Sequence, residues 1–165
     1  LDKCVFCGDG RWCAAGHDQA VYGEREKRVD MPIRTFQYRL YPTKVQKKAL
    51  QLQLDVSRHV DNMALEAHKL AWARAEKSIG KREGYQLAKQ YKQTFPQAKI
   101  VHSHVMQVAI EDLDRAFQAF FRRVKAGEEP GYPRFKSDKR WHSIGFKQFG
   151  NGFKVDHRRL NVSGV

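Results

Sequence analysis

From Thr43 to Phe95 the chain contains no proline. Through that run, Val45, Ala49, Leu52, Val56, Val60, Met63, Ala67 and Leu70 recur by threes and fours. Such spacing places them on one helical face and commits a long central stretch to α structure. Thr43 and Gln46 form the pattern of a capping box at its start. The run divides into two helices if Asp55–Ser57 is a joint, with Ser57 capping the second. Gly80 and Gly84 punctuate the next stretch, and Tyr85–Thr94 reads as a short polar helix closed before Pro96. Ser103 is the expected cap of a last helix reaching about Lys125. Val105, Val108, Ala109, Leu113, Ala116, Phe117, Phe120 and Val124 line its apolar face, and Gly127 ends it. The region 43–130 is thus expected to hold four helices.

Both flanks switch to period two. Phe36, Tyr38 and Leu40 alternate with Thr35, Gln37 and Arg39, which predicts a half-buried strand ended by Tyr41-Pro42. After Gly131, the residues Pro133, Gly145, Gly150 and Gly152 cut the chain into short runs. Asn151-Gly152 predicts a type I′ turn joining Ser143–Phe149 to Phe153–Val155. Leu160 and Val162 predict one more strand. The order strand, helices, strands predicts an α+β fold in which the early strand, Arg34–Leu40, pairs with the late ones in one small β-barrel. The helices are then an insertion. The chain divides accordingly into four segments: 1–30, 31–42 (first strand), 43–130 (helices) and 131–165 (remaining strands).

The chain has 165 residues, with 31 Lys plus Arg against 18 Asp plus Glu, a net charge of +13. No apolar run is long enough to span a membrane, and the first residues are charged and Cys-rich, unlike a signal peptide. The expected partner is a polyanion, with nucleic acid foremost. Residues 1–30 carry a net charge of −1 and residues 31–165 a net of +14. The densest basic stretch, 121–160, is interleaved with Phe135, Trp141, Phe146, Phe149 and Phe153. Cations there can neutralise phosphates while aromatic faces stack on bases. The same aromatics can equally fill the inner face of a small sheet, and alternation along a strand permits both.

All three cysteines, Cys4, Cys7 and Cys13, precede His17 in the pattern C-x2-C-x5-C-x3-H. Three thiolates and an imidazole complete a tetrahedral set for structural zinc. Against this, Met31 has the look of a natural start, which would make residues 1–30 a Cys-rich extension without structural role. A search for catalytic chemistry finds none. Glu111, Asp112 and Asp114 cluster, but on what reads as the solvated side of a helix. No H-E-x-x-H, P-loop or G-x-S-x-G occurs.

Two motifs carry a family resemblance. Arg39-Leu40-Tyr41-Pro42-Thr43, followed by Gln46 and an amphipathic helix, resembles the start of transposon-encoded OrfB (TnpB) proteins, relatives of the compact type V CRISPR effectors. Ala116-Phe117-Gln118-Ala119-Phe120-Phe121-Arg122-Arg123-Val124-Lys125, followed by Gly131-Tyr132-Pro133-Arg134-Phe135-Lys136, resembles that family's F-F-x-x-(V)-K…G-(F/Y)-P-R-F-(K/R) segment. Gly152–Val162 resembles the hairpin after it. The likeness runs from about Met31 to Val165.

The resemblance implies a wedge-type barrel with an inserted helical recognition lobe, in an RNA-guided DNA endonuclease. It implies a guide RNA from the transposon end, target duplex DNA and the companion transposase as partners, in the prokaryotic cytoplasm at the nucleoid. The target would be read by base pairing, with the protein holding the heteroduplex by shape and backbone. Magnesium would belong to a nuclease domain after the wedge, where this chain stops, so these residues alone are expected not to cut. By position, motif reading falls to Tyr85, Lys89, Ser103, His104, Gln107 and Lys147. Gln107 can pair bidentately with adenine N6 and N7, or simply sit in solvent on its helix. Ser103 departs from the pattern, since a lysine there would partner phosphate better. Arg122, Arg123, Lys125, Arg134, Lys136 and Arg140 would line the nucleic-acid channel, or serve as plain surface charge. The family's N-terminus has no standard Cys-rich head. Beside this stands a different reading, a stand-alone helix-turn-helix DNA-binding protein or repressor, with the helices around Asp55 entering the major groove.

Overall fold

The computed structural model describes residues 3–7, 11–15, 37–157 and 159–165. Its central feature is α1, a single helix over Lys44–Ala75. The expected capping box is complete. The Gln46 amide donates to the Thr43 hydroxyl at 3.3 Å, and the Thr43 amide donates to the Gln46 side-chain carbonyl at 2.9 Å.

The helix runs unbroken through Asp55–Ser57, where a joint was expected. Ser57 is no cap. Its hydroxyl donates to the Leu54 carbonyl at 2.8 Å and accepts from Trp141 Nε1 at 2.7 Å, so its polarity is satisfied inside the helix. The described residues therefore hold three α-helices, not four: α1, α2 (Lys81–Thr94) and α3 (Ser103–Lys125), with a short 3-10 turn over Pro96–Lys99.

The buried face of α1 also differs from the expected stripe. Val56 and Val60 are buried, but Val45 is 77% and Leu70 44% exposed. The true face is rotated and includes Leu50, Gln53, Leu54, Ser57, Asp61, Ala64 and Leu65. Its polar members hid it from an apolar count. Gln53 donates to the Ser163 carbonyl at 2.8 Å, and the Asn62 side-chain amide exchanges two hydrogen bonds with the Lys136 backbone, at 2.8 and 2.9 Å.

Helix α2 starts earlier than Tyr85 because Gly84 is a packing point and not a break. A Cβ there would lie 2.7 Å from Ile110 Cγ2 on α3. The cap of α3 is His102, whose Nδ1 accepts from the His104 amide at 3.2 Å, and Ser103 is the first helical residue. On α3, Val105, Val108, Ala109, Leu113 and Phe117 are buried as expected, joined by Met106 and Ile110, while Ala116 and Val124 are exposed.

The strands are β1 (Lys3–Cys7), β2 (Arg11–Ala15), β3 (Tyr38–Arg39), β4 (Ser143–Phe146), β5 (Gln148–Phe149), β6 (Gly152–Asp156) and β7 (Arg159–Val162). They form two sheets, ordered β3-β2-β1-β4 and β5-β6-β7. The early strand and a late strand do share a sheet, but they do not pair directly. Arg39 on β3 faces Arg11 on β2, and Phe146 on β4 faces Cys4 on β1. No ladder joins the two sheets among the described residues, so one continuous barrel is not formed there. The sheets meet instead through side chains, with the Phe146 and Phe153 rings 5.7 Å apart.

The expected type I′ turn at Asn151-Gly152 is not made. Positive φ falls on Gly150 (82°) and Gly152 (97°), and β5 runs parallel to β6. The hairpin is β6–β7, with His157 at φ 47° in its turn, and β7 carries Leu160 and Val162 as expected. The proposed metal ligand His17 lies outside the described residues, as do the side chains of Cys4, Cys7 and Cys13. No helix among the described residues is long and apolar enough to cross a membrane.

Candidate nucleic-acid interface

Helices α2 and α3 touch closely at Gly84, and an open cleft of about 530 Å3 lies between them. Tyr85 and Lys89 line it from α2, and Ser103 and Gln107 from α3. Four of the six residues expected to read a motif are thereby brought together. Arg82 and Lys92 join them, and sequence reasoning had passed over both. The signal was present: 82, 85, 89 and 92 step by three, four and three along one face of α2. Lys92 also answers the departure at Ser103. Its ammonium donates to the Ser103 hydroxyl at 3.2 Å and to the Val101 carbonyl at 2.8 Å, so the missing lysine charge arrives from the neighbouring helix.

Lys147 reaches the mouth of the cleft from the turn after β4. Its ammonium lies 2.6 Å from Glu111 Oε1 and donates to the Tyr85 hydroxyl at 3.3 Å. The Tyr85 hydroxyl donates to the same carboxylate oxygen at 2.5 Å, and Lys81 Nζ lies 3.5 Å from it. Burial, then the bond to Glu111, push the Tyr85 phenol well above the usual tyrosine range. Glu111 is thus not on a solvated face, as its sequence neighbours suggested. It is 9% exposed and ties α2, α3 and the segment after β4 together.

His104 is not among the cleft-lining residues. It is half-buried with its ring 4.6 Å from that of His102, and its Nδ1 is buried without a hydrogen-bond partner. Burial, then the neighbouring His102 and Lys147, hold its imidazole below the usual histidine range.

The expected channel residues fall elsewhere. Arg122, Arg123 and Lys125 crowd the last turn of α3, exposed, where cations also complement the helix dipole. Arg134 and Arg140 are exposed. Lys136 is drawn toward α1, with its ammonium 4.0 Å from Asp61 Oδ2 and 5.1 Å from the Trp141 ring centre. Between them, Phe135 lies exposed beneath Lys69, 4.0 Å from the ring centre. The described residues contain no group of three or more His, Cys, Asp or Glu that could hold a metal ion.

Residues 31–77 match the helix-turn-helix domain of the IS605 OrfB family. This segment is similar to the N-terminal part of OrfB proteins. Its described portion comprises β3, the Thr43 capping box and all of α1. A helix-turn-helix domain of the OrfB family suggests DNA binding, and its basic character agrees with that. Among the described residues of the matched segment the helical stretch is continuous, so no turn there separates a supporting helix from a recognition helix. No curated protein matches the chain.

Proposed function

We propose that this chain is the nucleic-acid-recognition portion of a transposon-associated RNA-guided DNA endonuclease, binding a guide RNA and a short motif beside the target. The observation that carries the reading is the cleft between α2 and α3, where Tyr85, Lys89 and Gln107 stand beside Arg82 and Lys92. Cations on the rim neutralise phosphate, and Gln107 offers the donor and acceptor pair that matches an adenine edge. The OrfB match over 31–77 supports the same assignment. In this reading β3 and β4 to β7 are the wedge, α1 to α3 are the recognition lobe, and the magnesium-dependent nuclease is a separate domain.

Sequencing the RNA that copurifies with the chain tests this. RNA from one transposon end should be enriched, and Lys89→Ala with Gln107→Ala should weaken target binding without releasing that RNA. A chain that carries no RNA and binds a fixed duplex tightly would instead support the stand-alone repressor. The unbroken α1 weighs against that second reading.

We also propose that Cys4, Cys7, Cys13 and His17 hold one structural zinc. Their donor set suits it, since thiolate and imidazole are preferred zinc ligands. Metal analysis of the purified chain should find zinc in equimolar amount, lost when Cys7 and Cys13 are replaced by Ser. Absence of zinc from protein purified without chelator would sink the assignment.

A further inference from the structure

A carboxylate, Glu111, holds the hydroxyl of the cleft residue Tyr85, and it is the wrong sign for a phosphate-binding surface. Glu111 is 9% exposed, yet three groups converge on a single oxygen of it. Lys147 Nζ lies at 2.6 Å, the Tyr85 hydroxyl at 2.5 Å and Lys81 Nζ at 3.5 Å. The two ammonium groups also sit over the Tyr85 ring, at 5.0 Å for Lys147 and 5.9 Å for Lys81. A Lys147 ammonium held this closely by a buried carboxylate contributes little field to a passing phosphate. A Tyr85 hydroxyl that has given its proton to a hydrogen bond with Glu111 can only accept a further one. Phosphate oxygens only accept, so they find no partner in that hydroxyl. An exocyclic amino group of adenine or cytosine donates, and can share that oxygen with Lys147, which already donates to it at 3.3 Å.

We propose that Glu111 is a specificity-determining positioning residue: by holding Lys147 and the Tyr85 hydroxyl on one carboxylate, it keeps both off phosphate and leaves base edges as the partners at that end of the cleft. This rests on reading the cleft as a nucleic-acid interface. It also divides labour within the cleft. Arg82, Lys89 and Lys92, which have no ion-pair partner of this kind in the cleft, face phosphate. Tyr85 and Gln107 face bases. Glu111 draws the boundary between the two sets.

The test is a salt series of binding titrations with the full chain and a labelled mixed-sequence DNA duplex. Glu111→Gln keeps the shape but frees Lys147, so binding at low salt should tighten several-fold. The slope of log K against log salt should steepen by about 0.9, the value for one added phosphate contact. Adding Lys147→Gln to that variant should return the slope to the wild-type value, and Glu111→Asp, which keeps the charge, should stay close to wild type. A Glu111→Gln slope that is unchanged or shallower overturns the proposal, as does a steeper slope that survives loss of Lys147. Lys147→Gln, compared in a Lys81→Gln background so that Glu111 cannot neutralise Lys81 in its place, probes the same point without touching Glu111. A neutralised lysine takes clearly less than one phosphate from the slope, and a fall of about 0.9 or more overturns the idea. Lys89→Gln separates the two levels. If it leaves the slope unchanged, the cleft reading itself falls. If it lowers the slope while Glu111→Gln changes nothing, only the role of Glu111 falls.

Discussion

Phe146→Ala should lower the unfolding free energy by about 3–5 kcal/mol, read as a drop in the denaturant midpoint at unchanged slope. Phe146 is 0% exposed and, among the described residues, the largest fully buried side chain. Its ring lies 5.9 Å from that of His102, the cap of α3, and 5.7 Å from that of Phe153 on β6. The site has no slack, because a Cβ on Gly152 would already lie 2.7 Å from Phe146 Cδ1. An alanine therefore leaves a cavity that β6 and α3 cannot both collapse into. Lys147 is the next residue, so loosening β4 also loosens the mouth of the cleft. A loss below about 1 kcal/mol would mean that the two sheets do not pack through this ring.

Much of the secondary structure was legible because it rests on local rules. The Thr43–Gln46 box, the end of α2 before Pro96 and the extent of α3 come from capping and proline chemistry that acts within a few residues. What failed was long-range. Ser57 looked like a cap because its residue type favours caps. In the fold it is a buried acceptor for Trp141, which is distant in sequence. Gly84 looked like a break because glycine usually is one, and only the approach of Ile110 makes it a contact point. Asn151-Gly152 looked like a hairpin turn, but β4 is drawn off to pair with β1, so the flanking strands do not face each other.

The candidate cleft was legible in the same partial way. Tyr85, Lys89, Ser103 and Gln107 came from the family resemblance, and the cleft gathers them. Glu111 reads as solvated because acidic neighbours on an amphipathic helix normally face water. Its burial is set by Lys81 and Lys147, which reach it from other elements and leave no trace in local spacing. Lys136 suits the channel by its charge, but its backbone is fixed to Asn62 and its ammonium turns toward Asp61.

Asp61→Asn should stabilise the chain by about 1–3 kcal/mol at neutral pH, with the gain fading on acidification. Asp61 is 0% exposed, and neither carboxylate oxygen has a hydrogen-bond partner. Burial is the main cause that raises its pKa from 3.8 to about 6. Lys136 opposes the shift, and Asp112 adds to it. The folded state thus holds this proton more tightly than the unfolded chain does. Stability associated with the protonated form is complete below the unfolded value near 4 and is lost as pH rises through about 6. At ~1.4 kcal/mol per tenfold change in proton affinity, keeping this carboxylate ionised and buried costs roughly 3 kcal/mol above that window. Asparagine removes the charge at nearly constant volume. Lys136 can turn its ammonium to water, since its side chain is 37% exposed, and Asn62 still anchors its backbone. Denaturant unfolding at pH 7.5 and at pH 4 (values set by the ~2-unit window) would decide the matter. A destabilised variant at the higher pH would show that the Lys136 ion pair outweighs the burial of the charge. A gain of equal size at both pH values would show that Asp61 is not the group that titrates.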